Sequence, residues 1–210
     1  MNAETIYDLF VHRKDVYALQ TETGAYIPVK KEITVSDIQK HLNGEKTIGL
    51  YCLELDNTVK WACIDMDLKK PCSKCGSEHT YLKKERLYCE DCNLLMYDEQ
   101  IKVFFEYANV IYEIFTDFNV ILEFSGRKGY HIWVLFENPI NATYAKQIIT
   151  SRLNRIKLPK VEIFPKQTEL NEGRKYGNLV KIPFATHKVS KQKSYLIKKN
   201  FEMGEQNGRY

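Results

Sequence analysis

Two strongly apolar runs, at residues 120–124 and 132–136, flank the segment Ser125-Gly126-Arg127-Lys128-Gly129-Tyr130-His131, and this arrangement leaves the chain few choices. Apolar runs of that length bounded by glycine and polar residues read as paired strands. The turn between them then gathers two glycines, two cations, a hydroxyl and an imidazole at one end of a sheet. Such a turn can aim backbone N–H groups and positive charge at an anion. It has neither the spacing of a Walker A loop nor that of a nucleophile elbow. Upstream, Asp65 and Asp67 end another apolar run at 59–64. Side chains two apart in a strand share a face, so these carboxylates project together, about 7 Å apart along the strand. Read alone, the pair is also what a solvated turn closing a strand looks like. Beside a phosphate-binding turn it points to divalent ions and nucleotidyl transfer.

Within the turn, Ser125 and the loop amides can donate to phosphate oxygens, Arg127 can bind bidentately and Lys128 offers a point charge. His131 shares its strand face with Trp133; it reads either as a donor to a triphosphate or as a satisfied strand histidine. Glu162, in Val161-Glu162-Ile163-Phe164, is a carboxylate between apolar neighbours that needs a partner if it faces inward and faces water otherwise. Glu123, in Ile121-Leu122-Glu123-Phe124, competes with it on the same logic.

Cys72-x-x-Cys75 and Cys89-x-x-Cys92, with 13 residues between the pairs, have the spacing of a closed tetrahedral Zn²⁺ site with no open position for a catalytic water. His79 lies between them and is not needed as a ligand. The ribbon reads either as a staple of the fold or as a surface for template or primer, given Lys69, Lys70, Lys74, Lys83, Lys84 and Arg86 nearby. Cys52 and Cys63 lie in apolar strands and read as small buried side chains.

Composition sets bounds: at 210 residues, 44% hydrophobic and 12% aromatic, the chain can bury a real core. Its net charge of +4 is too mild by itself to mark a nucleic-acid binder. Lys175, Lys181, Lys188, Lys191, Lys193, Lys198 and Lys199 nevertheless follow one another with no acid between Glu172 and Glu202. This basic strip is either a binding surface or a solvated face. No apolar segment approaches the roughly 18 residues that span a bilayer, and the N-terminus lacks a signal-peptide core. A cytoplasmic protein with no membrane partner is therefore expected.

Along the chain the pattern predicts a helix at 4–12, strands at 16–20 and 26–29, and a helix opened by Thr34 with Asp37 completing a capping-box variant. Strands at 47–53 and 59–67 are expected to form a hairpin through Asp56-Asn57. The cysteine insertion spans 71–97. A long amphipathic helix is expected at 98–118, a second at 142–156 with Asn141 as its N-cap, and short strands at 161–164, 179–182 and 195–197. The order predicts an α+β fold with an N-terminal α/β module, an RNA-recognition-motif-like sheet and an inserted four-cysteine zinc ribbon. One catalytic domain at 1–200 is expected, with 201–210 as a tail or the point where a longer protein was cut.

Taken together, Asp65 and Asp67, the 125–131 segment and Glu162, in that order, resemble the three motifs of the archaeo-eukaryotic primase superfamily, the primase-polymerases. The resemblance covers residues 1–200. A closer likeness, to the CRISPR-associated primase-polymerases and the related primase domains of bacterial conflict systems, rests on Val161-Glu162-Ile163-Phe164-Pro165-Lys166-Gln167, on Gly177-Asn178-Leu179-Val180-Lys181-Ile182-Pro183-Phe184 ending near His187, and on Asp15-Val16-Tyr17-Ala18. The resemblance implies a DNA primase-polymerase that starts and extends primers on a single-stranded DNA template from nucleoside triphosphates. It implies Mg²⁺ or Mn²⁺ held by Asp65, Asp67 and Glu162, and triphosphate contacts from Ser125, Lys128 and His131. Arg127 would touch either triphosphate or template, Asn178 and Lys181 match a basic place that reaches the nucleotide, and His187 would add a phosphate or sugar contact. Other domains of a longer parent protein are further candidate partners. Two rivals stand beside this reading: a non-catalytic zinc-ribbon and RNA-recognition-like module that binds single strands through stacking aromatics such as Tyr130 and Trp133, and a metal-dependent nuclease.

Overall fold

The computed structural model describes residues 1–83, 86–96, 99–157, 161–173 and 175–201. Helix α1 (Ala3–Phe10) leads into strands β1 (Tyr17–Gln20) and β2 (Tyr26–Val29), followed by α2 (Val35–Leu42) and β3 (Ile48–Tyr51). Strand β4 (Thr58–Asp67) precedes the cysteine unit, β5 (Thr80–Lys83), β6 (Arg86–Cys89) and β7 (Leu95–Met96), and then α3 (Glu99–Glu113). After it come β8 (Asn119–Phe124), β9 (Gly129–Asn141), α4 (Ala142–Leu153), β10 (Glu162–Phe164), β11 (Leu179–Lys181) and β12 (Tyr195–Lys199).

Helix starts follow local chemistry. Asn2 accepts the Thr5 N–H at the head of α1, Thr34 and Asp37 close the capping box of α2, and Asn141 accepts from Thr143 and Tyr144 at α4. Each satisfies backbone donors that a helix start otherwise leaves orphaned.

The strands form three sheets, in the orders β11-β3-β1-β2, β10-β4-β9-β8-β12 and β5-β6-β7. Among the described residues every ladder between named strands is antiparallel. The five-stranded sheet is central, and alternation along its strands sorts its two faces. Ala62, Ile64, Met66, Val120, Leu122, Ile132 and Val134 join a core with the apolar sides of α3 and α4. Trp61, Cys63, Ile121, Trp133 and Leu135 point the other way, into a second core with α1, α2 and the four-stranded sheet. Cys52 and Cys63 are small buried side chains of that second core.

The expected hairpin of 47–53 with 59–67 does not form. The chain does turn tightly there, with Glu54 N–H donating to Thr58 O at 3.0 Å and Asn57 at φ 62°. Beyond that point both edges of β3 are taken by β1 and β11, and both edges of β4 by β9 and β10. The two strands therefore meet face to face across the second core instead of edge to edge. Of the expected tail at 201–210, all but Phe201 lies outside the described residues.

His41 ties α2 to the four-stranded sheet. Its Nδ1 accepts the Ile48 N–H at 3.0 Å and its Nε2 donates to the Pro183 carbonyl at 2.9 Å. Burial holds its pKa down to about 4. A histidine kept neutral in the fold contributes stability above its unfolded pKa and loses it as pH falls through the unfolded value toward the folded one. We predict that urea melts show stability falling by about 2–3 kcal/mol from this group between pH 7 and 4, and that His41→Asn flattens the drop. An equal drop in the variant would assign the acid sensitivity elsewhere.

Candidate active site

On the inner face of the central sheet the side chains change character along the strands. Trp61 and Cys63 give way to Asp65 and Asp67 on β4, Ile121 to Glu123 and then Ser125 from β8, and Leu135 and Trp133 to His131 on β9. At this polar end a cavity of about 260 Å³ lies between the central and four-stranded sheets. Asp65, Asp67, Ser125, Arg127, Lys128, His131, Lys181 and His187 all line it. Eight of the expected site residues, scattered over more than half of the chain, thus share one cleft.

The turn between β8 and β9 is strapped from three sides. Ser125 N–H closes it on the Gly129 carbonyl at 2.9 Å, Leu68 N–H donates to Lys128 O at 3.0 Å and Leu82 N–H to Arg127 O at 2.6 Å, while the Ser190 hydroxyl donates to Gly126 O at 2.6 Å. Gly126 has φ 92°, a conformation that costs glycine little. A side chain at Gly129 would collide with the Met66 carbonyl and crowd Asp67 Oδ1. Two glycines therefore let the cationic turn sit against the end of the aspartate strand.

Glu123 anchors the cleft from below. It is fully buried; Oε2 accepts from His131 Nδ1 at 3.0 Å and Trp133 Nε1 at 2.8 Å, and Oε1 from Lys181 Nζ at 3.4 Å. Burial pushes its pKa up, but Lys181, His131 and Trp133 outweigh that and hold it at about 2. Burial likewise works against a charged His131, and Glu123 and Asp65 outweigh it and raise the ring's pKa. His131 Nε2 lies 3.7 Å from Asp65 Oδ1. His187 is the opposite case: burial, then the cations Lys181 and Arg127, lower its pKa to about 3. Its Nδ1 accepts from the Val189 and Ser190 amides, and its Nε2 lies 3.5 Å from Gln20 Nε2, the Gln20 amide being oriented by the Lys188 N–H that donates to its Oε1.

Asp65 carries the strain. Its side chain keeps 24% of its exposure, yet Oδ1 is sealed from solvent and has no hydrogen-bond partner among the described residues. Burial raises its pKa to about 6, Asp67 and Glu162 adding to the rise and His131 opposing it. A sealed, unpartnered carboxylate oxygen beside a second carboxylate is a donor set that fits a hard divalent cation. Glu162 pairs in register with Asp65 across β10 and β4, and its carboxylate is held at 2.7 Å by Lys166 on the rim.

Asn178 is not brought into this cleft. Its carbonyl accepts the Cys52 N–H and it lines a separate hollow with Tyr51, Gln167 and Tyr176. Arg127 lines the cleft but is already engaged, with Nε 3.2 Å from Glu90 Oε1. The basic strip is divided: Lys181 pairs with Glu123, Lys188 and Lys191 with Glu22, and Lys198 with Glu113. Tyr130 and Trp133 are buried, so neither is open to a stacking base. Gln20 and Tyr26, from the first hairpin, line the cleft without having been anticipated. Gly49 held the signal: a Cβ there would lie 2.9 Å from the Tyr26 ring and 2.7 Å from Leu179, and a strand glycine marks such a close approach.

The four cysteines converge beside the turn. Cys72 and Cys92 Sγ are 3.6 Å apart, Cys75 and Cys89 Sγ 3.5 Å, and all four lie within 4.8 Å of one another. Thiolates 2.3 Å from a tetrahedral ion stand about 3.8 Å apart, so this set fits Zn²⁺. It is the one group of three or more ligand atoms gathered this closely among the described residues. No helix among those residues is long and apolar enough to cross a membrane.

Residues 2–210 match the family described as the TOTE conflict system, Archaeo-Eukaryotic Primase domain. The chain belongs to that family, whose members are generally nucleotidyltransferases. No curated protein matches it.

Asp65 yields a signed prediction for the protein without added divalent ions. A carboxyl whose folded pKa lies above its unfolded value destabilises the fold above both, and the penalty fades as pH falls through the folded value. Asp65→Asn is expected to raise the melting temperature by about 2–4 °C at pH 7.5, and by less at pH 5. A variant that melts at or below the wild-type temperature at pH 7.5 would contradict the strain at Asp65.

Proposed function

We propose that this chain, as an archaeo-eukaryotic primase domain, is a template-dependent nucleotidyltransferase that starts and extends DNA primers on single-stranded template. The observation that carries the reading is the juxtaposition, across one cleft, of the carboxylate wall of Asp65 and Asp67 with the cationic wall of Lys128, Arg127 and Lys181. A diester needs little of the second wall; a triphosphate uses it. This favours nucleotide transfer over nuclease action. The strand order β10-β4-β9-β8, with α3 and α4 as its crossovers, supports the RNA-recognition-motif-like description of the sheet.

In this reading Ser125, the turn amides and Lys128 grip the β- and γ-phosphates. Lys181 lies buried beside them, and His187 adds a contact to a phosphate or sugar oxygen. His131, held through Nδ1 by Glu123, turns Nε2 toward the triphosphate edge next to Asp65. Two Mg²⁺ or Mn²⁺ ions held by Asp65, Asp67 and Glu162 would supply activation of a 3′ hydroxyl and neutralisation of charge on the phosphates. The 3′ oxygen then attacks the α-phosphate and pyrophosphate leaves against the turn, whose preorganised donors stabilise the developing charge. Zn²⁺ on the four cysteines is structural, because the set leaves no open position.

The test is incubation with single-stranded template, nucleoside triphosphates and Mg²⁺ or Mn²⁺, without primer. Gel-resolved products are expected from the wild-type chain. In the Asp65→Ala, Asp67→Ala double variant incorporation is expected to fall by at least about 10³-fold, the scale of losing preorganised charge stabilisation, while single-strand binding largely survives. Incorporation that persists in the double variant would show the site to be misplaced.

A further inference from the structure

We propose that Glu90, in the ribbon knuckle Cys89-Glu90-Asp91-Cys92, is a positioning residue that fixes Arg127 for a nucleoside triphosphate, so that the metal-closed ribbon sets one cationic wall of the cleft. The inference rests on the nucleotidyl-transfer reading and deepens it.

Glu90 meets Arg127 side-on. Oε1 accepts from Nε at 3.2 Å and Oε2 from Nη2 at 3.4 Å, in a setting where both side chains are under a quarter exposed. That grip uses one edge of the guanidinium fork. Nη1 has no hydrogen-bond partner among the described residues, and Arg127 borders the cleft shared with Ser125 and Lys128. A planar guanidinium held on one edge presents the other in a fixed direction, which is the geometry a phosphate's paired oxygens require.

The ribbon holds the backbone of the same residue. Leu82 N–H on β5 donates to the Arg127 carbonyl at 2.6 Å, so side chain and main chain are tied to one small unit. Glu90 is itself placed by that unit: its N–H donates to the His79 carbonyl at 2.8 Å, and the Cys89 N–H to Leu94 O at 3.0 Å. Its neighbour Cys89 and nearby Cys92 belong to the thiolate set that fits Zn²⁺. The path from the four cysteines to the phosphate turn is thus a pair of contacts, both ending on Arg127. An unrestrained arginine loses rotamer entropy when a ligand orders it, and a preheld one loses less. Glu90 therefore strengthens triphosphate binding, although its charge alone would weaken it.

That sign makes the proposal testable. In the zinc-loaded full chain, Glu90→Gln is expected to leave zinc content unchanged and to weaken nucleoside triphosphate binding, followed by equilibrium titration with Mg²⁺, by about three- to tenfold, the net worth of one ordinary intramolecular hydrogen bond. KM for the nucleotide rises by the same factor with kcat little changed. Stripping zinc from the wild-type chain weakens binding at least as much. In an Arg127→Ala background Glu90→Gln adds nothing, because its effect runs through that residue. Unchanged or tighter binding in Glu90→Gln, or a further loss in the Arg127→Ala background, overturns the proposal. Lys128→Ala separates this from failure of the underlying reading: if it too leaves triphosphate binding intact, the nucleotide site itself is misassigned.

Discussion

The buried carboxylate of Glu123 is the interaction on which the rest of the site depends. A carboxylate taken out of water costs several kcal/mol unless its lone pairs are filled by donors and opposite charge. Here the contacts that meet that cost come from two other strands: His131 and Trp133 from β9, and Lys181 from the end of β11 in another sheet. The carboxylate therefore does more than fill a core position. It links the four-stranded sheet to the central one through Lys181, and it holds the His131 ring with Nε2 toward Asp65. Removing the acid would leave the Lys181, His131 and Trp133 donors buried without their acceptor.

Above this anchor the site is an unbalanced arrangement of charge. Asp65, Asp67 and Glu162 repel one another at the end of β4 and the start of β10, and burial at Asp65 sharpens the repulsion. Opposite them the glycine turn, Lys128 and Arg127 concentrate positive charge against a backbone strapped by the ribbon and by Ser190. Cations and a triphosphate together relieve both walls at once. Each wall is held in shape by structure that is itself uncharged or internally paired, which is how a fold keeps a site preorganised for a charged ligand.

Much of this was legible in the sequence where the signal is local. The cysteine spacing, the aspartates two apart on one strand, the glycine turn between apolar runs and the caps at Thr34 and Asn141 each depend on a few neighbouring residues. What stayed hidden depends on which distant segments meet. The 47–53 and 59–67 strands looked like a hairpin because the turn between them is real, and only the competition of β1, β11, β9 and β10 for their edges separates them. Gln20 and Tyr26 enter the cleft through a sheet packing whose one local trace is Gly49, where a side chain would collide with the Tyr26 ring. Glu123 looked like a rival metal ligand, since a lone acid in an apolar run says only that it needs a partner. Arg127 had no fixed target because its partner, Glu90, lies in an insertion with a chemistry of its own.

Whether Glu123 raises the pKa of His131 beside Asp65 against the pull of burial is read out by NMR titration of the histidine rings, with the His131 resonance identified by its loss in His131→Asn. His131 in the wild-type chain is expected to titrate above its ordinary value of 6.5 and to drop below it in Glu123→Gln. A wild-type His131 that titrates below 6.5 would mean that burial wins, and the charge order proposed for the site would be wrong.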